Sequence, residues 1–396
     1  MALIRKKKMD SNFSEDQIAI RDAIQKLCAD FDDDYWLRMD KEGGPAQEFI
    51  DAVAAAGWLG IAMPEEYGGS GLGMTEAALM MQTIAASGGA IAACSSVHLN
   101  IFGPNPVVVF GSEEQKTRML PPLIRGEEST CFAVTEPNSG LDTSSIETRA
   151  ELQGDRYIVN GQKVFTTNAQ NADKILLLTR TTPKDQVTKP TDGLTLFFTD
   201  LDRDHVEIRE IDKMGRKAVD TNALFVDDLP IPVEDRIGEE GKGFQCLLHG
   251  LNPERIIGAA VGVGVGRQAL KRAVDYAKER VVFGRPIGQN QAIQHPLADS
   301  WAQLEAANLM TFKAAQLYDS GQSCGAEANA AKYLSAEAAF TACERAVMTH
   351  GGMGYAKEYH VERYLREIFI LRIAPVSREM ILNFIAERVL GLPRSY

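Results

Sequence analysis

The sequence predicts an α+β multidomain chain: an N-terminal helical domain, a central β-sandwich or barrel, and a C-terminal four-helix bundle. Three changes of texture predict it. Residues 13–128 repeat apolar side chains at helical spacing, as in Ile18, Ile20, Ile24 and Leu27. Residues 129–238 switch to short β-rich runs between polar or proline-containing loops. Residues 241–392 return to long segments rich in Ala, Leu, Glu and Lys joined by short turns, the pattern of a helical bundle. The domain boundaries expected from this are 1–128, 129–240 and 241–396.

Local chemistry supports each element in turn. Ser14 ahead of Glu15-Asp16-Gln17 offers an N-cap and an acidic first turn. A glycine-rich loop, Pro64–Gly71, interrupts the helices before a further helix over 74–88. In the middle part, Arg156–Val159 and Gln162–Phe165 flank Asn160-Gly161, a pair suited to a two-residue hairpin turn. Ile175–Thr179, Leu194–Thr199, His205–Arg209 and Asn222–Val226 extend the β-rich set. The bundle helices are expected over 242–280, 289–319, 325–351 and 357–390. Gly258, Gly262 and Gly266 recur inside the first of these. With no strand before them they do not form a dinucleotide fingerprint; small residues one turn apart instead admit a second helix at close range.

Composition removes several classes. A chain of 396 residues needs more than one core. Net charge is -12, from 54 acidic and 42 basic side chains, which disfavours a nucleic-acid partner. The basic Met1–Lys8 segment lacks the apolar run of a signal peptide and reads as a disordered start. No run of about 18 apolar residues suggests a membrane span. The six cysteines are scattered, which argues against a disulfide framework and fits a reducing cytoplasm. The six histidines are also dispersed, and no metal is expected.

Five motifs carry the chemistry. They are Thr135-Glu136-Pro137-Asn138-Ser139-Gly140-Leu141-Asp142; Phe165-Thr166-Thr167-Asn168; Arg280 with Phe283-Gly284-Arg285-Pro286-Ile287; His350-Gly351-Gly352-Met353-Gly354-Tyr355; and Val361–Arg366. Each alone is a weak signal. In this order and spacing they resemble the acyl-CoA dehydrogenase flavoproteins, over about residues 13–392.

The resemblance implies non-covalent FAD at a subunit interface, a homodimer or homotetramer, and desaturation of an acyl-CoA to the trans-2-enoyl-CoA. It also implies an electron-transfer flavoprotein as acceptor. By motif position, Phe132, Val134 and Thr135 line the flavin, Phe165 stands where a stacking tryptophan is common, and Thr167 reaches the N5 region. Arg280 meets the pyrophosphate from the neighbouring subunit, where guanidinium geometry suits phosphate. Phe283 and Gln291 flank the adenosine, Gly351-Gly352 admits the cofactor to the backbone, and Ser377 replaces a threonine that touches FAD. Leu141, Asn252 and Arg255 fall on the substrate side. Leu141 stands where a serine is usual, and Met348 where a glutamine is frequent.

The base is the main departure. Many members of the family place their catalytic glutamate where this chain has Pro375, which also lacks a backbone N–H to offer the thioester oxygen. A subset, including the isovaleryl- and long-chain enzymes, supplies the glutamate directly before the arginine that Arg255 resembles, and Glu254 matches it. Read without the family, Asn252-Pro253-Glu254 is equally an N-cap, an N1 proline and a first-turn acid. Glu136 is expected to support backbone, and Glu362 and Glu367 to be solvated or ion-paired. Trp36, Trp58 and Trp301 read as packing residues. His98 borders the acyl pocket or is a structural histidine. The mostly apolar Val97, Leu99, Asn100 and Ile101 favour an uncharged acyl tail. The competing functions are a flavin oxidase, monooxygenase or non-redox lyase on the same scaffold, or a non-catalytic acyl-CoA-binding homologue.

Overall fold

Ser14 caps the first helix, α1 (Glu15–Cys28), with a capping box: its hydroxyl accepts from the Gln17 N–H and the Gln17 side chain accepts from the Ser14 N–H. The computed structural model describes residues 13–395, so the reading of Met1–Lys8 lies outside it. Six further helices follow: α2 (Asp33–Glu42), α3 (Gln47–Ala55), α4 (Met74–Ile84), α5 (Ala90–Phe102), α6 (Asn105–Phe110) and α7 (Glu113–Ile124). Between α4 and α5 the wide turn Ala85–Gly89 leaves helical geometry at Gly88, whose φ is 110°. The Arg363 guanidinium donates to the Gly88 carbonyl at 2.5 Å and the Gly89 carbonyl at 3.4 Å, so the freed backbone groups are satisfied.

The sequence suggested no membrane-length apolar run, but Met74–Phe110 holds an 18-residue window of mean hydropathy 1.4. Length and composition would let it cross a membrane; here 89% of that window is buried inside the protein. Small residues between the large ones hide the run from a count of consecutive apolar side chains.

The middle of the chain forms one eight-stranded sheet. The strands are β1 (Thr130–Ala133), β2 (Arg149–Gln153), β3 (Arg156–Thr167), β4 (Lys174–Arg180), β5 (Leu194–Asp200), β6 (Val206–Glu210), β7 (Thr221–Pro232) and β8 (Arg236–Ile237). Their order is β6-β7-β3-β2-β4-β5-β8, with β1 parallel to β4. Alternate residues of β4 and β5 serve two cores. Ile175, Leu177 and Phe197 join Tyr157 and Val159 inside the curled sheet. Leu176, Leu178, Leu196 and Phe198 pack on Met119, Leu120 and Leu123 of α7.

The hairpin reading of Asn160-Gly161 is corrected. Both residues lie within β3, and the turn falls at Gly154, between β2 and β3. Gly161 marks a register shift against β7 and has φ 156°. A Cβ there would lie 2.5 Å from Thr148 Oγ1, so glycine serves a close approach rather than a reversal.

The rest is helical. The first expected segment is two helices, α8 (Gly243–His249) and α9 (Leu251–Glu279), meeting at Gly250. A short hairpin of β9 (Val281–Val282) and β10 (Arg285–Pro286) leads to α10 (Gln291–Asp319), and α11 (Gly325–His350) follows. At Gly266 an added Cβ would meet Leu304 at 2.5 Å and the Ala339 backbone at 3.1 Å, the close helix approach that the glycine spacing predicted. The expected fourth segment is broken into α12 (Val361–Ile368), α13 (Ile370–Ile373) and α14 (Arg378–Phe384). Ala374 is extended, and Pro375 has no N–H with which to continue the helical ladder.

Candidate active site

Glu254 lies in the first turn of α9, and α5 runs beside it. The His98 Nε2 sits 3.1 Å from Glu254 Oε1 and 3.0 Å from Oε2, joining residues 156 apart in sequence. The two side chains are 24% and 25% exposed, so the pair is neither buried nor in bulk solvent. Among the described residues the Glu254 carboxylate has no other hydrogen-bond partner. The capping alternative for Asn252 is corrected: α9 starts at Leu251 after Gly250, without a side-chain cap, and Asn252 Oδ1 accepts from Arg255 Nη1 at 3.2 Å. Arg255 Nε is buried without a partner. Burial holds the Arg255 guanidinium below its ordinary value. Burial, aided by the Arg255 charge, brings Lys332 on α11 down to about 8. Lys332 donates to the Leu371 carbonyl.

The half-open face of α5 carries Ser95, His98 and Leu99. Val97 and Ile101 belong to the core. Asn100 is structural: its amide donates to the Glu128 carbonyl at 2.8 Å, and its Oδ1 accepts from the Thr130 N–H at 3.1 Å.

On the sheet, Val134–Glu136 is strapped to β3. The Val164 N–H donates to Thr135 O at 2.9 Å, and Lys163 Nζ donates to Val134 O at 3.1 Å. Glu136 takes the Lys163 ammonium at 2.8 Å and the N–H groups of Glu147 and Thr148 at 2.6 and 3.0 Å. Burial would raise this carboxyl, but Lys163 and the Glu147 amide hold it below the ordinary range. Burial in turn draws Lys163 down to about 8. Glu136 is thus the backbone support expected of it. Lys163 was missed, although the two-residue period puts it on the same side as buried Tyr157 and Val159. Phe132, Val134, Thr135 and Thr167 are half-buried around this strap. Phe165 has φ 60° at a β3 bulge and a largely exposed ring. Leu141 is exposed on the adjoining loop.

A second group gathers at one end of the bundle. Tyr276, one turn before Arg280, stacks on His350 with ring centroids 4.3 Å apart, and Gly351-Gly352 follow directly. The Ile287 N–H donates to Arg280 O at 2.9 Å, bringing Phe283 and Gln291 to the same end. Arg280 is exposed with no side-chain partner among the described residues, and Phe283 is fully exposed. Gly351 has φ 60°, and nothing lies within 4 Å of where its Cβ would be. No hydrogen bond, ion pair or ring contact joins this group to the sheet residues among the described residues. Ser377 caps α14, accepting from the Met380 N–H at 3.3 Å.

The other acids are engaged. Glu362 pairs with Arg366 at 2.6 Å. Glu367 is buried rather than solvated; it accepts from the Ala92 N–H at 3.0 Å and from Arg363 at 3.3 Å, and burial raises its carboxyl. Trp36 is core, while Trp301 is 58% exposed.

A curated relative, acyl-CoA dehydrogenase FadE12 of Mycobacterium tuberculosis, is 39% identical over 402 residues, covering 98% of this chain and 100% of its own. The chain belongs to the acyl-CoA dehydrogenase family. The family's N-terminal, middle and C-terminal domain models match residues 14–127, 131–229 and 241–390. Subunit CarC of the caffeyl-CoA reductase–Etf complex of Acetobacterium woodii is 35% identical, covering 88% of this chain and 93% of its own. Among solved structures, an FAD complex of PigA superposes with a TM-score of 0.91 at 28% identity, over 97% of this chain and 99% of that one. This acyl-CoA dehydrogenase-family protein is therefore an oxidoreductase whose cofactor is FAD. Its own residues fit that cofactor: an outward aromatic ring beside a strapped loop, an unpaired guanidinium, and an open glycine backbone.

Proposed function

We propose that this protein desaturates an acyl-CoA thioester to the trans-2-enoyl-CoA, with Glu254 removing the α-proton. The observation that carries the reading is the condition of its carboxylates. Glu136, Glu362 and Glu367 are committed to backbone or arginine, and Pro375 offers no carboxylate at all. Glu254 is half-buried and has a single imidazole partner among the described residues. A carboxylate in that condition can accept a proton from a bound substrate. Arg255, half-buried beside it and bonded to Asn252, supports the polar end of the substrate. FAD, when bound, accepts the hydride that leaves the β-carbon. Phe132, Val134, Thr135, Phe165 and Thr167 form one wall for the isoalloxazine. Arg280 meets the pyrophosphate, and Phe283, Gln291 and Gly351-Gly352 complete the dinucleotide site. Ser377, whose hydroxyl caps α14, joins the cofactor side of the site. The separation of the two groups within one chain supports a cofactor shared between subunits of a homodimer or homotetramer.

In this reading the acceptor is an electron-transfer flavoprotein, and the acyl tail is uncharged, with Leu99 on the half-open face of α5 and the one cation there, Arg216, engaged by the Ser95 hydroxyl. Six buried, unpaired cysteines suit a reducing cytoplasm. The test is an anaerobic titration of the FAD-loaded protein with butyryl-, isovaleryl-, octanoyl-, palmitoyl- and glutaryl-CoA. At least one aliphatic thioester is expected to bleach the flavin, and Glu254→Gln to slow bleaching roughly 10³-fold while FAD stays bound. Undiminished bleaching in that variant eliminates Glu254 as the base. Preference for glutaryl-CoA removes the uncharged tail.

A further inference from the structure

The Glu254 carboxylate is held by an element that the proposed reaction has not yet used. Its partner is on α5, and the two helices are locked at this corner by more than one contact. At the α8–α9 joint, a Cβ on Gly250 would lie 3.5 Å from Asn105 Oδ1 at the start of α6, so the α5–α6 turn and the start of α9 abut. The His98 ring is itself braced by Phe102 one turn on, with centroids 5.1 Å apart and planes at 47°. Arg255, next in sequence to the glutamate, turns away to Asn252. A neighbouring cation therefore does not orient Glu254; the imidazole does.

The chemistry of the contact is constrained. An ionised carboxylate has acceptors only, so the ring nitrogen facing it carries the hydrogen. Nε2 is almost equidistant from the two oxygens, at 3.1 and 3.0 Å, so one N–H is shared across the carboxylate. Sharing fixes the plane of the carboxylate and uses one side of it. The lone pairs on the far side stay available, and a carboxylate offers about four such sites in all. A free glutamate on a helix would rotate about its last bond; this one is pinned at both oxygens.

We propose that His98 is a positioning residue for the base, fixing the Glu254 carboxylate so that its outer lone pairs meet the substrate α-proton. This rests on Glu254 being the base. Misplacing a reacting group by about 1 Å can cost on the order of 10²-fold in rate. The imidazole thus acts on the proton-transfer step and leaves thioester binding alone.

The test uses the FAD-loaded protein and stopped-flow anaerobic flavin reduction, with the panel thioester that bleaches wild type fastest. His98→Phe keeps the ring volume and the Phe102 contact and removes the N–H. It is expected to slow reduction roughly 10- to 100-fold with the thioester dissociation constant near wild type. His98→Gln retains an N–H donor and is expected to recover most of the rate. In a Glu254→Gln background, His98→Phe is expected to cause no further loss, since the two act as one unit. FAD absorbance and melting temperature check folding, and His98→Leu replaces the phenylalanine variant if FAD is lost. Wild-type reduction rates in His98→Phe, equal slowing in His98→Gln, or a weakened dissociation constant with unchanged rate would each overturn the positioning role. If Glu254→Gln alone reduces its flavin normally, the base assignment fails instead, whatever His98 does.

Discussion

Glu136 and Glu254 are both removed from bulk water, and they are in opposite conditions. Glu136 is 6% exposed and accepts from two backbone amides and the buried Lys163 ammonium. Glu254 is a quarter exposed and has one imidazole. The first is bound by three donors, one of them a buried ammonium, so its work is to hold the loop before β3 in place. The second keeps lone pairs free and sits where two helices meet. Number and direction of partners, rather than burial alone, separate a carboxylate that builds structure from one that can do chemistry.

The largest test of this contrast is Glu254→Gln. It should cut the flavin-reduction rate by roughly 10³-fold or more, above about 4 kcal/mol, with melting temperature unchanged. Loss of stability with normal reduction would make Glu254 another Glu136. The reverse variant is Lys163→Met. Removing one partner of a buried pair strands the other charge, so about 3 kcal/mol of stability should be lost in urea denaturation, together with FAD retention. A merely surface-like cost would show that the strap does not depend on the pair.

His360 sharpens the comparison, because it is buried and under-satisfied and has no part in the proposed reaction. Its Nδ1 has no partner, and Asp33 Oδ2 lies 4.0 Å from Nε2. Burial lowers it from 6.5 to about 4. The unfolded chain therefore binds more protons than the folded one between these values, and stability rises with pH across that window. On acidification from pH 7 to pH 5 the contribution lost is about 2 kcal/mol, which His360→Asn should abolish in denaturation curves at the two pH values. An unaltered acid limb would refute it. The smallest effect is expected from Asn252→Ala, which removes the hydrogen bond to Arg255. A net loss of about 1 kcal/mol should appear in thioester affinity, read by titration, with the reduction rate close to wild type.

The helical start, the β-rich centre and the bundle were legible because each has its own hydrophobic period. Motif order likewise singled out Glu254 and the two groups proposed to hold the cofactor. What escaped detection was long-range. Asn160-Gly161 carries the composition of a hairpin turn, and only the approach of Thr148 explains why the strand continues through it. The break before Pro375 was readable from proline alone, yet the helical texture on both sides overrode it. Asn252 resembles a cap until α8 is seen to run into α9. The His98–Glu254 contact spans 156 residues, and no local pattern encodes it. Lys163 is the opposite case, since strand alternation marked it and its charge disguised it.

The junction at Gly88 bears on how the polypeptide is made. Its carbonyl is satisfied by Arg363, 275 positions later. A ribosome that has released Phe110 has therefore delivered a long greasy segment with an open kink, able to pack on α1–α3 but still without the bundle helices that complete its cover. Until those helices are made, the uncovered side of the segment is exposed to aggregation or to being taken for a bilayer-spanning helix.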